Sequence, residues 1–261
     1  MWSENEKNIL RVERSAPAGG TGEAADWART ALGFEADEQQ RRVLRSVSKR
    51  GLLNCTRQWG KSTVTAAKAL HRAAHEAGSL VLVVSPSARQ TGEFLRKATE
   101  FVRRLRIRPR GDGDNEMSLV LPNGSRIVGV PGEEATVRGF SAVSLLLVDE
   151  ASRVSEEMYL AVRPMLAVSD GDLWLMSTPF GKRGFFWEAW EHGGAEWERV
   201  RVTAEECPRI SRAFLEGERR AMGERQFRQE YGCEFVDVNA GVFGRDMVEA
   251  AVTDEVAPLE L

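Results

Sequence analysis

Cys55-Thr56-Arg57-Gln58-Trp59-Gly60-Lys61-Ser62 stands between a short apolar run, Gly51-Leu52-Leu53-Asn54, and an alanine-rich stretch that begins at Ser62. It ends in the Gly-Lys-Ser of a phosphate-binding loop, with Cys55 where the usual pattern has its first glycine. The chemistry needs these residue types in this order. Backbone N–H groups and a helix N-terminus cradle phosphates, Lys61 reaches the β- and γ-phosphates, and Ser62 holds Mg²⁺. Cys55, Thr56, Arg57, Gln58, Trp59, Gly60, Lys61, Ser62 and Thr63 are therefore the candidate nucleotide-binding residues. A Gly-Lys-Ser match carries little weight alone.

The second half of the pattern is Leu145-Leu146-Leu147-Val148-Asp149-Glu150, an unbroken apolar run ending in two acids. Such a run reads as a buried parallel strand whose acids emerge at its carboxyl end, the edge at which open α/β sheets bind ligands. Asp149 is placed to hold Mg²⁺ and Glu150 to polarise the water that attacks the γ-phosphate. Singly, two acids at this position would merely solvate the end of a core strand. Both motifs in the right order, each after an apolar strand, point to an ATP hydrolase.

With 261 residues the chain has room for one large α/β domain, or one domain with a small appendage. The net charge of -3 does not advertise nucleic-acid binding, so any such contact must come from a local patch. Cys55, Cys207 and Cys233 are odd in number and widely spaced; they form no zinc pattern and argue for a reducing, cytoplasmic setting. No apolar run reaches the length of a membrane span and Met1-Trp2-Ser3-Glu4 lacks a signal-peptide pattern, so a soluble intracellular protein is expected.

Residues 1–25, with Ala-Pro-Ala-Gly-Gly-Thr-Gly at 16–22, read as a flexible arm. Helices are expected near Asp26 and from Asp37, the latter capped by Asp37, and from Ser62 to Gly78. Strands are expected at 51–54, 80–84, 143–148, 173–176 and 197–202, with helices at about 88–106, 155–167 and 211–231. Residues 117–130 read as a hairpin around Pro122-Asn123-Gly124-Ser125. Strands alternating with helices give a doubly wound, mainly parallel α/β fold with an added β-hairpin.

Other signals have two readings each. Ser177-Thr178-Pro179, after the strand at 173–176, is either a γ-phosphate sensor or an ordinary turn. Arg57 contacts phosphate in cis or forms a salt bridge that shapes its loop. Arg138, just before the acid-bearing strand, is a solvated surface charge or a group that stabilises the transferring phosphoryl. Residues 96–110 hold Arg96, Lys97, Arg103, Arg104, Arg106, Arg108 and Arg110, a run that tracks a phosphate backbone or forms the wet face of a helix. His71 and His75 lie four apart, a metal-binding spacing without a third ligand in sequence. Phe185, Phe186, Trp187 and Trp190 are spaced as a helix face and read as core rather than a base-stacking platform.

Over roughly residues 30 to 245 the assembled motifs resemble the ATPase part of a phage terminase large subunit, the motor that packages double-stranded DNA into procapsids. Cys55 to Ser62 resembles that family's own phosphate loop without its first glycine, and Phe34 through Gln40 its adenine-side motif, with Gln40 as the base contact. Asn123-Gly124-Ser125-Arg126, then Thr136-Val137-Arg138-Gly139 leading into Leu147-Val148-Asp149-Glu150-Ala151, are equally similar. Ser177-Thr178-Pro179 resembles the coupling motif, and Gln229-Glu230-Tyr231-Gly232-Cys233-Glu234-Phe235 the end of the motor domain.

The resemblance implies a RecA-like P-loop fold of the ASCE type, with an ATPase domain over 26–236 and a linker or start of a C-terminal nuclease domain over 237–261. It implies ATP and Mg²⁺ as cofactors, Lys61, Ser62 and Asp149 on phosphate and metal, Glu150 as base and Thr178 as coupler. Arg138 becomes a trans-acting finger supplied to the neighbouring subunit of a homo-oligomeric ring, so an isolated monomer would be a feeble ATPase. Double-stranded DNA, a portal protein and a small terminase subunit are the implied partners, and no membrane is. Asp237, Asp246 and Asp254 are too few for a nuclease site, and no nuclease activity is expected of this chain. The rival readings are another nucleic-acid motor such as a helicase, or a nucleotide-binding assembly module with little hydrolysis.

Overall fold

The continuous apolar runs become strands buried on both faces. They are β1 (Arg50–Cys55), β2 (Leu80–Ser85), β4 (Arg126–Pro131), β5 (Val143–Asp149) and β6 (Asp172–Ser177), with the short β3 (Ser118–Val120) and the more exposed β7 (Trp197–Val202) at the margins. The computed structural model describes residues 2–7, 23–113, 117–132 and 139–237. One sheet of seven strands runs in the order β3-β4-β2-β5-β6-β1-β7. The β3–β4 pair is antiparallel, the expected hairpin, and every other pair is parallel. Parallel strands need covered faces, and alternate side chains supply them.

On one face Leu53, Val81, Val83, Leu145, Leu147 and Met176 pack under four helices. These are α1 (Glu23–Thr30), α2 (Glu38–Arg45), α3 (Lys61–His75) and α4 (Ala88–Arg104). On the other, Leu52, Leu82, Val84, Leu146, Val148 and Leu175 meet Met158 and Tyr159 of α5 (Glu156–Val162) and Phe185 and Phe186 of α6 (Gly184–His192). A small separate cluster joins Leu215 of α7 (Arg212–Met222) to Phe227 of α8 (Glu224–Glu230). Gly51 is dictated by its neighbour. Trp174 lies fully buried beside it in β6, and a Cβ on Gly51 would come within 2.3 Å of the indole ring.

The strand order fixes the site. β1, which feeds the phosphate loop, and β5, which ends in the two acids, are not neighbours, because β6 runs between them. Thr178, one residue past β6, is thereby delivered beside Lys61 at the carboxyl edge of the sheet, on the strand between those that lead to the phosphate loop and to the acids.

Two helices differ from expectation. The helix expected over 155–167 ends at Val162 and tightens into a 3-10 turn, Arg163–Leu166. Pro164 causes this, since proline lacks the N–H an α-helix requires and its ring crowds the carbonyl four residues back. The helix expected over 211–231 is two, split at Gly223, whose φ of +78° is open to glycine. Of the expected N-terminal arm, residues 8–22 lie outside the described residues; Trp2 packs against the core, with the Arg110 guanidinium 4.3 Å over its ring. The segment 237–261 lies outside them save for Asp237, which pairs with Lys182 at 3.2 Å. Among the described residues no helix is long and apolar enough to cross a membrane.

Candidate functional site

β1 ends at Cys55 and the chain turns through Gln58 (φ +65°) and Gly60 (φ +100°) before α3 begins at Lys61. Gly60 suits glycine, because its φ is left-handed and a Cβ would crowd Gln40 Nε2 at 3.1 Å. Lys61, 6 % exposed, donates from Nζ to the carbonyls of Cys55 (2.9 Å) and Thr56 (3.2 Å), and at 3.5 Å to Thr178 Oγ1. Cys55 therefore serves through its carbonyl. Its thiol points into the core and burial pushes it well above the ordinary cysteine range, so the side chain offers nothing to a phosphate.

Ser62, in the first turn of α3, donates from Oγ to Asp149 Oδ2 at 2.9 Å, which joins the two sequence motifs directly. Asp149 is 5 % exposed and its other oxygen accepts the Glu150 N–H at 3.1 Å. Burial raises its carboxyl above the usual range, with the Glu150 charge adding to the effect, while the Ser62 hydroxyl and the charges of Lys61 and Lys97 oppose it. Glu150 carries a left-handed φ of +50°, a strained conformation for a residue with a Cβ, of the kind concentrated at functional sites. Thr178 is buried, and donates from Oγ1 to the Cys55 carbonyl at 3.5 Å. The adjoining Ser177 Oγ lies 2.6 Å from Ser152 Oγ, and Ser152 donates to the Thr178 carbonyl at 2.8 Å. The proposed coupling residues are thus tied to the turn that follows the acids.

Gln40 caps its own helix and braces the loop. Its Oε1 accepts the Asp37 N–H at 3.0 Å in a capping box, and its Nε2 donates to the Trp59 carbonyl at 2.9 Å. Both ends of the amide thus have protein partners, and Gln40 also lines the cleft, where its second Nε2 hydrogen leaves the base contact implied by the resemblance open to it. Arg209, from the segment after β7, donates to the same Trp59 carbonyl and pairs with Asp37 at 3.6 Å. Of the two readings of Arg57, the structure has the salt bridge, Nε donating to Glu230 Oε2 at 2.8 Å, while Thr56 Oγ1 donates to the Glu230 carbonyl at 3.3 Å. Arg138 lies outside the described residues.

These groups line a cleft of about 520 Å³ that takes in Phe34, Gln40, Lys97, Glu150, Arg209 and the loop from Arg57 to Thr63. A larger cleft of about 840 Å³ is lined in part by Arg57 and Glu230, but Lys61, Ser62 and Glu150 are absent from its lining and present in the smaller one, so the chemistry belongs to the smaller one. His71 and His75 do not form a metal site. Their rings stack at 4.1 Å with Trp27 edge-on to each, and among the described residues no three His, Cys, Asp or Glu gather as metal ligands. In the 96–110 run, Arg96 pairs with Glu93 and Glu100, and Arg104 donates to the carbonyls of Leu32 and Gly33. The aromatic reading holds at Phe185 and Phe186, which are buried, while Trp187 and Trp190 are half-buried. Sequence reasoning missed the roles of Arg209 and Glu230, brought to the site from elements remote from both motifs, that of Ser152 just past the acids, and the place of Lys97 in this cleft.

Comparison with known proteins agrees with this geometry. A family model described as terminase large subunit, T4likevirus-type, N-terminal, matches residues 52–250. The terminase large subunits of Thermus phage G20c and Thermus virus P23-45 are each 26% identical over 253 residues, covering 83% of this chain and 52% of theirs. The chain thus spans about half the length of these relatives. The large terminase ATPase domain of Thermus phage P74-26 superposes with a TM-score of 0.72 at 22% identity, over 81% of this chain and 98% of that one. The large terminase of the thermophilic bacteriophage D6E, solved in complex with ADP, gives 0.61 at 13% identity, over 90% of this chain and 54% of that one. At these identities the structures show a shared fold.

Proposed function

The chain belongs to the terminase large subunit family, and from that premise we propose that it binds and hydrolyses ATP with Mg²⁺ to drive double-stranded viral DNA into a procapsid. One observation carries the reading: the hydrogen bond from Ser62 to Asp149 brings phosphate loop and acid-bearing strand into one cleft. The residues suit Mg²⁺. Hard oxygen ligands are what this cation takes, and Asp149 is a buried carboxylate with no ion-pair partner among the described residues. Bound there through Ser62 and Asp149, Mg²⁺ would neutralise charge on the β- and γ-phosphate oxygens.

The chain's own residues do the rest. Backbone N–H groups at the start of α3 face the phosphates, and Lys61 holds a desolvated ammonium beside them. Glu150, next to Asp149 on the cleft wall, orients the attacking water and accepts its proton. Thr178, within 3.5 Å of Lys61 Nζ, registers the state of the phosphate and passes it through Ser177 and Ser152 to the turn after the acids. Arg138 is assigned as the finger that completes a neighbouring subunit's site in a ring, with a portal protein and a small terminase subunit as partners at the procapsid in the host cytoplasm. Residues 26–236 form the ATPase domain in this reading.

The test is steady-state ATP hydrolysis with Mg²⁺ for the protein and for Glu150→Ala, beside nucleotide binding by both. We expect binding to survive and turnover to fall by about 10²-fold or more, the range for loss of a positioned base. Turnover unchanged in Glu150→Ala would make the chain a nucleotide-binding assembly module instead.

A further inference from the structure

α4 contributes one cation to the cleft, Lys97, which lies outside the phosphate loop. Its place follows from the helix period. Phe94 and Phe101, three residues before and four after, are buried in the cluster shared with α3, and the Phe101 ring meets Phe34 edge-on at 5.9 Å on the cleft wall. Lys97 lies on this inward face and is half-buried. Arg96, one position away, faces outward and is held by Glu93 and Glu100.

The other cations of the cleft are already engaged with protein. Lys61 donates to two carbonyls, Arg57 pairs with Glu230, and Arg209 pairs with Asp37 and the Trp59 carbonyl. Among the described residues Lys97 has no hydrogen bond and no ion pair, yet its charge is felt at the Asp149 carboxyl. A half-buried lysine that lines the cleft and makes no ion pair of its own suits an anionic ligand there. We infer that Lys97 is a polyphosphate-binding residue, which meets the nucleotide's phosphates from α4 and supplements Lys61. The inference rests on the cleft being the nucleotide site, as proposed above.

The experiment compares binding of Mg-ADP and of adenosine, by calorimetry, to the protein and to Lys97→Met, Lys97→Arg, Arg96→Met and Lys61→Ala, each checked for an unchanged thermal midpoint. Lys97→Met keeps the stem and removes the charge. Loss of one charged hydrogen bond weakens ADP binding about tenfold, and adenosine, which has no phosphate, is bound as before. Lys97→Arg retains most of the affinity, and Arg96→Met all of it. ADP binding unchanged in Lys97→Met but lost in Lys61→Ala overturns this assignment alone. An equal loss for adenosine also overturns it, since Lys97 would then act through the fold. Weakened DNA binding with ADP binding intact would return Lys97 to the backbone-tracking run. Unchanged ADP binding in Lys61→Ala as well would remove the nucleotide site on which the inference stands.

Discussion

His71 illustrates how a single buried group sets a property of the chain. Its ring stacks on His75 and meets Trp27 edge-on, and its Nε2 is buried without a hydrogen-bond partner among the described residues. Burial, with His75 and Lys68 nearby, lowers its pKa from the ordinary 6.5 to about 3. The folded protein therefore holds this imidazole neutral where the unfolded chain would protonate it. The stability this contributes is complete above the unfolded value and is lost as pH falls from 6.5 toward about 3. Urea midpoints measured at about pH 7 and about pH 5 should fall with acid, and His71→Phe should flatten that slope by up to about 1.4 kcal/mol per pH unit. An equal slope in both proteins would place the acid sensitivity elsewhere. Asp149 has the opposite tendency: its raised carboxyl must lose a proton to hold a divalent cation, so Mg²⁺ affinity should weaken as the solution is acidified.

At the level of elements, Gly51 and Trp174 form a tight constraint in the central sheet. Gly51→Ala should cost about 1–3 kcal/mol through overpacking, because the indole is enclosed and a Cβ would come within 2.3 Å of it. Denaturant midpoints check this, and Trp174→Leu in the same chain should make the alanine cheaper, since the two positions touch. The strands were legible because parallel strands buried on both faces must be apolar throughout, as Leu80–Val84 and Leu145–Val148 are. The capping box at Asp37 was half legible: its aspartate signalled a helix start, but that Gln40 also braces Trp59 depends on a contact nineteen residues away. Pro164 and Gly223 were visible as residues yet did not break the expected helices, because charge and amphipathic pattern continue past both. Arg209 and Glu230 had no local signature, and Lys97 in its basic run and Ser152 just past the acids gave no sign of the partners they meet. Their roles come from the order in which strands enter the sheet, which no short window of sequence contains.

For the whole molecule, the order β5-β6-β1 places Ser177 and Thr178 between phosphate loop and acids, and in the proposed reading a subunit built this way carries most of its ATP site within itself. The finger proposed at Arg138 would complete the site only in a neighbour. Turnover per subunit should then rise steeply with protein concentration, and Arg138→Ala should abolish the rise while leaving ATP binding nearly intact. A working trans finger is worth about 10³–10⁵ in rate. Mixing Arg138→Ala with Glu150→Ala subunits should restore part of the activity, since each supplies what the other lacks. Concentration-independent turnover, equal in wild type and Arg138→Ala, would leave a self-contained ATPase and remove the shared site.

Glu230 sits at the end of α8, directly before the last described stretch of chain, 231–237, and fastens both Thr56 and Arg57 of the phosphate loop. The loop's other flank is anchored at Trp59 by Gln40 and Arg209. The carboxyl end of α8 is thus built into the wall of the loop, and the chain beyond it is clamped in turn, the Tyr231 carbonyl by the Ala204 N–H and the Cys233 carbonyl by the Asn54 side chain. If the loop holds nucleotide as proposed, a shift of α8 would be felt there through two bonds, which makes the helix a natural reporter of occupancy.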